Sequence, residues 1–269
     1  MLKSLVKINL MFLASSFILV SCSTETKKKE NVIQKIQGKP VDRLIAKEEK
    51  KERECDKIRG ILLGDQLWAN QNLNVKTFAN GDLILFAKDK VSWMKAGLNH
   101  TPAYYIDEIS GDVYYNYYVL NDKRRLLNEN WEIPDQFDWA FLAEFFGSKV
   151  YLDRDFPSML TFEVKNNLLA KSIFAEGVFN KEFNFEVSGF NAQPARLIAE
   201  DGYMPPEETN YCYYWTDGQD KNKTDPLVFK LSKYFTYDHV IEVANMGDGY
   251  LIRPIYKGSS AEMGAWIEN

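Results

Sequence analysis

The chain has 269 residues, of which 45% are hydrophobic and 14% are aromatic, and its formal net charge is -5. This apolar content is sufficient for a buried core and excludes a globally disordered chain. The charge is uneven, because residues 1–58 carry 13 Lys/Arg and 8 Asp/Glu, whereas residues 59–269 carry 20 and 30. An acidic globular part repels phosphate backbones, so we expect no nucleic-acid partner.

The N-terminus has the pattern of a bacterial lipoprotein signal. Lys3 and Lys7 precede an apolar run over residues 10–20, which is too short to span a bilayer comfortably as a mature helix. The run ends in Leu-Val-Ser-Cys, which places Cys22 where a cysteine is lipidated and becomes the first residue. We therefore predict a signal peptide over residues 1–21 and a lipid anchor on Cys22. The alternative is an ordinary signal peptide with an incidental cysteine.

The segment after the lipobox is rich in charged residues and includes three lysines at positions 27–29. Such a segment cannot bury enough apolar surface to fold by itself. We predict that residues 22–57 are a tether in front of a domain over residues 58–269. The lysines fit either contact with anionic lipid headgroups or, as we favour, a solvated linker. We expect the protein in the outer membrane, facing the periplasm or the cell surface.

From residue 58 onward, short apolar runs alternate with turn residues, and the pattern predicts strand, turn and strand over residues 59–68. Asn80-Gly-Asp82 predicts a hairpin turn, and residues 91–98 predict a short helical turn. The uninterrupted run of β-forming residues over 113–120 predicts one buried strand. Further strands are predicted over residues 160–164, 183–187, 211–217, 227–231, 239–244 and 250–255.

Residues 135–147 predict the central helix of the domain. Asp135 is a favourable N-cap, Asp138 completes a capping box three residues later, and Gly147 ends the pattern. The apolar residues form two rows, Phe137, Ala140, Phe141 and Phe145 in one and Trp139, Leu142, Ala143 and Phe146 in the other. A helix that is apolar on two sides is expected to pack between layers. The order of elements indicates an α+β fold with a curled antiparallel sheet.

Seven short motifs occur in the order typical of one family. They are Gly64-Asp-Gln-Leu-Trp68 with Gln71-Asn-Leu73, Phe78-Ala-Asn-Gly-Asp82, Gly111-Asp-Val-Tyr-Tyr-Asn-Tyr117, Asn130-Trp-Glu-Ile-Pro-Asp-Gln-Phe-Asp-Trp139, Gly189-Phe-Asn-Ala-Gln-Pro194, Tyr214-Trp-Thr216 and Gly249-Tyr-Leu-Ile-Arg253. Over residues 58–257 the chain resembles the Fibrobacter succinogenes major paralogous domain, whose members look like variants of the C-type-lectin-like and sulfatase-modifying fold. The resemblance implies a C-type-lectin-like domain with a central helix and long irregular loops, but no established activity. The chain departs from the family pattern at Asn130, Asp138 and Pro254.

Two cysteines remain beyond the lipobox. The exported setting permits a disulfide between Cys55 and Cys212, which would join the start of the domain to its late strands. The sulfatase-modifying relatives use cysteine pairs, which suggests a reactive thiol as an alternative, although no His or Lys adjoins Cys212 to lower its pKa. A free thiol, buried or exposed, is the third possibility.

The sequence contains only weak indications of a metal site or of acid–base catalysis. The only histidines, His100 and His239, lack the spacing of a zinc site, and we predict neither a metal centre nor catalytic residues. Lectins of this broad fold often bind calcium, which takes six to eight oxygen ligands. Glu207, Glu208 and Asp217 are the candidate ligands for such a calcium site, but a solvated acidic surface is the favoured interpretation, so no cofactor is predicted.

The loops over residues 195–225 carry the candidate binding residues. Tyr203, Met204 and Tyr213 offer large contact area at a low cost in side-chain entropy. The resemblance places the variable binding surface of the fold in the same region. We predict a lipid-anchored, non-enzymatic envelope protein that binds a protein or a glycan. The alternatives are an accessory or scaffold subunit of an outer-membrane complex and a carbohydrate-active enzyme.

Overall fold

The computed structural model describes residues 57–128, 130–152, 160–163, 174, 188–205, 210–219, 224–232, 240–259 and 263. These residues lie in the unit Glu52–Asn269. No helix within them is long and apolar enough to cross a membrane. The predictions for Cys22, Cys55, Glu207, Glu208 and His239 lie outside the described residues.

The described strands, in chain order, are β1 (Gly60–Leu63), β2 (Gln66–Ala69), β3 (Leu85–Phe86), β4 (Ala103–Ile106), β5 (Val113–Asn116), β6 (Trp131–Glu132), β7 (Lys149–Leu152), β8 (Leu160–Glu163), β9 (Tyr211–Gln219), β10 (Pro226–Ser232), β11 (Val240–Val243), β12 (Gly249–Tyr250) and β13 (Ile255–Tyr256). The helices are α1 (Lys90–Leu98), α2 (Tyr117–Leu120) and α3 (Gln136–Phe145). Most strands therefore form where the alternation of apolar runs and turn residues predicts them.

The strands form three sheets, with the orders β1-β2-β13-β6, β7-β8-β11-β10-β9 and β12-β5-β4-β3. Among these described strands, β3 and β4 run parallel and the other pairs run antiparallel. A mixed architecture of few helices and mainly antiparallel sheets is confirmed. The strands are divided among three sheets, however, and do not form one curled sheet.

The prediction of one strand over residues 113–120 is wrong in its second half, where α2 begins. The side chain of Asn116 is fully buried and faces the neighbouring backbone. Its Oδ1 accepts from the N–H of Ala103 at 3.0 Å, and its Nδ2 donates to the carbonyl of Thr101 at 2.9 Å. The next N–H, that of Tyr117, donates to the carbonyl of Met246 at 3.1 Å. Asn116 therefore ends the strand, although the following residues favour β structure.

The prediction of one strand over residues 250–255 is also wrong, because the chain passes there from one sheet to another. The strand β12 ends at Tyr250 and pairs with β5, whereas β13 starts at Ile255 and pairs with β2 and β6. Pro254, which has no N–H to donate to a ladder, precedes β13. Its carbonyl accepts from the N–H of Ala69 at 2.8 Å and so connects the crossing to β2.

The helix α3 begins and ends as predicted. Asp135 Oδ1 accepts from the N–H groups of Phe137 and Asp138 at 2.7 and 2.9 Å. Asp138 Oδ2 accepts from the N–H of Asp135 at 2.8 Å, which completes the capping box. Gly147 has a φ of +83° and follows the last turn. A left-handed glycine after the last turn is a common helix end.

The expectation that α3 packs between layers is wrong, because only one of its two apolar rows is buried. Trp139 is fully buried, stacks on Phe229 at 4.3 Å between ring centroids, and lies 4.7 Å from the ring of Trp68. This row joins β2 to β10. In the other row, Phe137, Phe141 and Phe145 are 52%, 61% and 55% exposed, and the small side chain of Ala140 is buried. Helical spacing predicted both rows but not which of them faces the core.

We expect Asp135→Ala to lower the free energy of unfolding by about 1 kcal/mol, because the N–H groups of Phe137 and Asp138 lose their acceptor. Asp135→Asn keeps an acceptor oxygen and should cost only a small fraction of that amount. Urea denaturation of both variants measures the difference. Equal losses in the two variants would contradict a capping role.

Candidate functional site

A cleft of about 450 Å³ lies between the loop after β2 and the loop before β9, and we call it the amide cleft. Its lining is polar and rich in carboxamide side chains. The polar lining residues are Asn70, Gln71, Asn72, Asn74, Ser110, Asp112, Asn191, Gln193 and Arg253. Several motifs that carry the family resemblance therefore meet at this cleft.

Hydrogen bonds between its backbone and other segments hold the loop after β2 in place. The N–H of Leu73 donates to the carbonyl of Ile252 at 2.8 Å, and Tyr115 Oη donates to the carbonyl of Val75 at 2.7 Å. Leu73 and Val75 are also buried in the core. Gln71 and Asn74, in contrast, are exposed. The loop thus presents these two amides from a fixed backbone.

The second loop repeats this division between buried and exposed residues. Phe190 and Ala192 are fully buried, whereas Asn191 and Gln193 are exposed. Asn191 has a φ of +54°, a left-handed conformation that asparagine adopts more readily than most residues. Burial of its neighbours therefore fixes the backbone that carries Asn191 and Gln193 to the cleft.

Arg253 forms the floor of the amide cleft and is 1% exposed. Its Nη1 donates to the carbonyls of Phe190 at 2.6 Å and Ala69 at 3.1 Å. Its Nη2 donates to Asn72 Oδ1 at 2.7 Å, and Asn72 Nδ2 donates in turn to Asp112 Oδ1 at 3.0 Å. The guanidinium therefore holds both loops and orients the amide of Asn72.

The exposed amides of the cleft are available to a ligand. In the described part of the chain, the side chains of Gln71, Asn74, Asn191 and Gln193 make no hydrogen bond. Each carboxamide both donates and accepts hydrogen bonds. Four such groups on two fixed loops suit a ligand that has many hydroxyl groups.

The structure places Tyr203 and Met204 next to each other but in different environments. Tyr203 is 54% exposed in a turn where Asp201 Oδ1 accepts from its N–H at 2.8 Å. Met204 is half-buried and packs against the core. Of the two, Tyr203 is thus the residue that a partner reaches directly.

Tyr213 and Asp217 lie elsewhere, on β9. The ring of Tyr213 is half-buried between those of Tyr211 and Tyr250, at 6.1 and 5.7 Å, and burial raises the pKa of Tyr213 to about 12. The N–H of Asp217 donates to the carbonyl of Pro134 at 2.8 Å, beside the start of α3. None of these residues lines the amide cleft, and their binding role stays a prediction.

Asp217 is the described member of the predicted calcium ligands. Among the described residues, no group of three or more His, Cys, Asp or Glu side chains has the arrangement of a metal site. Glu207 and Glu208 lie outside those residues, so the calcium alternative stays untested.

Cys212 is fully buried on β9, and burial raises the pKa of its thiol to about 12. A nucleophilic cysteine requires the thiolate form, which such a pKa suppresses at neutral pH. The arrangement therefore disfavours the reactive-thiol alternative. The pairing of Cys212 with Cys55 stays a prediction.

We expect the thiol of Cys212 to react with iodoacetamide at pH 8 at least about 100-fold more slowly in the folded protein than in denaturant, because the raised pKa and burial both suppress the thiolate. A variant with Cys22→Ser and Cys55→Ser isolates this thiol. Mass spectrometry over time measures the alkylated fraction. Equal rates in the folded and unfolded states would contradict the buried environment.

Sequence reasoning missed the amide cleft, although it singled out both of its loops. The signal was the density of amides in residues 70–74 and 191–193. The two motifs indicate the family, but they are more than a hundred residues apart in the chain, so the sequence does not show that they meet in the fold. Only the contacts of Arg253 show that the two loops share one cleft.

Comparison with known proteins gives one clear result. No curated protein and no solved structure matches the chain. The family model described as Fibrobacter succinogenes major domain matches residues 61–255, which is more than half of the chain. The chain therefore belongs to the Fibrobacter succinogenes major domain family.

Proposed function

We propose that this protein is a non-enzymatic binding protein of the bacterial envelope and that its amide cleft binds a saccharide. The observation that carries the proposal is the convergence of four exposed amides, Gln71, Asn74, Asn191 and Gln193, from two fixed loops. Fixed loops reduce the entropy lost when a ligand binds. We assign no catalytic reaction to the side chains that line this cleft, Ser110 included.

The chemistry of the lining favours a saccharide over a protein surface. A protein interface has a core of apolar and aromatic residues, whereas the exposed lining of this cleft consists of carboxamides with Ser110 and Asp112. Amides pair with sugar hydroxyl groups in both directions, as donor and as acceptor. Asn72, which is oriented by Arg253 and Asp112, adds one pre-positioned amide.

The proposed setting is a lipid anchor on Cys22 followed by a C-type-lectin-like domain. The lipobox supports the anchor, and the motifs of residues 64–253 support the finer fold assignment. The tether then separates the domain from the outer-membrane surface. An envelope protein held in this way meets polysaccharides of the periplasm or of the cell surface.

We expect Cys22→Ala to move the protein from the detergent phase to the aqueous phase in Triton X-114 partition of cells, because the thiol that carries the lipid is lost. Cys55→Ala is the matched control and should stay in the detergent phase. Immunoblotting of both phases measures the partition. Retention of Cys22→Ala in the detergent phase would contradict the lipid anchor.

We expect a Gln71→Ala/Gln193→Ala variant to bind its saccharide about 10-fold or more weakly, since two hydrogen bonds of about 1 kcal/mol each are lost. An oligosaccharide array identifies the ligand, and isothermal titration calorimetry measures the affinity. Both side chains are exposed, so the melting temperature should not change.

Asn121→Ala removes an exposed amide outside the cleft and serves as the control. Unchanged affinity of the double variant, or equal loss in the control, would contradict the site. Absence of saccharide binding, together with stoichiometric co-purification with an integral barrel from detergent extracts, would instead favour the accessory-subunit alternative.

A further inference from the structure

A second cleft, of about 400 Å³, lies beside the C-terminal end of α1, and we call it the α1 cleft. Met94 and Leu98 line it with apolar side chains that are 37% and 76% exposed. Glu200 and Asp201 line it with exposed carboxylates. The α1 cleft thus combines an apolar surface with negative charge, unlike the amide cleft.

An aromatic pair completes the lining of the α1 cleft. The ring of His100 stacks on that of Tyr118, with 5.1 Å between the centroids and 23° between the planes. His100 has a φ of +52° at the end of α1, where its N–H donates to the carbonyl of Gly97 at 3.0 Å. Burial and the nearby Glu200 carboxylate raise the pKa of Tyr118. Glu200 therefore lies close to Tyr118.

Backbone contacts fix the turn that carries the two acidic residues of the α1 cleft. The N–H of Glu200 donates to the buried carboxylate of Asp248 at 2.8 Å. Gly202 has a φ of +74° and packs so tightly on α1 that a Cβ atom there would lie 2.5 Å from Lys90 Cγ. The turn that carries Glu200 and Asp201 is therefore pre-positioned against the helix.

Neither Glu200 nor Asp201 forms an ion pair with a described residue. Two exposed carboxylates that have no ion-pair partner among the described residues, beside an exposed apolar surface, are complementary to a long cationic side chain. We propose that the α1 cleft binds a lysine or arginine side chain of a partner polypeptide. Its aliphatic stem packs on Met94 and Leu98, and its charged end pairs with Glu200 or Asp201.

Tyr203 lies two residues after Asp201 and is exposed next to this site. Its position gives a partner polypeptide an aromatic contact beyond the cleft. The α1 cleft shares no lining residue with the amide cleft. Binding of a basic polypeptide is thus independent of the proposed saccharide site.

The test uses the full chain in neutral detergent and the peptide Gly-Lys-Gly-Lys-Gly as the probe, with binding followed by NMR titration. Glu200→Gln/Asp201→Asn should weaken binding about fivefold, because both carboxylates that can pair with the lysine ammonium are removed. The same peptide with both lysines Nε-acetylated keeps the aliphatic stems but loses the charge. The parent protein should bind this peptide about as weakly as the double variant binds the unmodified peptide. Both substitutions are near-isosteric and exposed, so folding should be unaffected.

Asp65→Asn/Glu132→Gln is the matched control, since it removes the same charge from exposed positions outside the cleft. Unchanged affinity in this control would support the site. An equal loss in both double variants would show attraction by net charge alone and would overturn the proposal, as would the absence of binding to the parent protein. Gln71→Ala/Gln193→Ala should bind the peptide normally, which separates this result from failure of the saccharide proposal.

Discussion

The buried guanidinium of Arg253 is the interaction on which the arrangement of the loops depends. It connects the end of β2, through the carbonyl of Ala69, to the loop of Phe190, more than a hundred residues later. A buried cation is costly unless its hydrogen-bonding groups are occupied. Two carbonyls and Asn72 accept from its Nη atoms, whereas its buried Nε makes no hydrogen bond to a described residue, and the ring of Phe190 lies 4.3 Å from its central carbon. The carboxylate of Asp112 is linked to the guanidinium through Asn72, whose amide donates to Asp112 and accepts from Arg253.

This arrangement separates the residues that hold the amide cleft from those that the proposed saccharide would contact. Leu73, Val75 and Phe190 are buried and fix the two loops. The exposed amides between them contribute little to that packing. Substitutions at Gln71 or Gln193 therefore test binding without testing stability, whereas loss of Arg253 removes the donor to two carbonyls and to Asn72 Oδ1 and affects both.

Much of the fold follows from local sequence, because caps and turns act over a few residues. The capping box of Asp135 and Asp138 and the strand–turn–strand over residues 59–68 are examples. The break at Asn116 was not predictable, since it depends on contacts with Thr101 and Ala103. The exposed row of α3 and the amide cleft likewise depend on which distant segments meet. The candidate binding residues near 203–217 were chosen by residue type, which does not reveal that Met204 packs against the core.

The two clefts share a dependence on the short segment over residues 248–253. At one end, Asp248 accepts from the N–H of Glu200 and fixes the α1 cleft, and at the other end Arg253 fixes the amide cleft. Gly249 lies between them, where a Cβ atom would be 2.3 Å from Ile198 and 2.7 Å from Trp93. A side chain at this position would clash with both residues, so glycine lets the backbone pass close to the core between the two buried charged groups. The family motif from Gly249 to Arg253 thus supplies the close backbone approach to Ile198 and Trp93 and the floor of the amide cleft, whereas Asp248, which precedes the motif, holds the backbone of Glu200 at the α1 cleft.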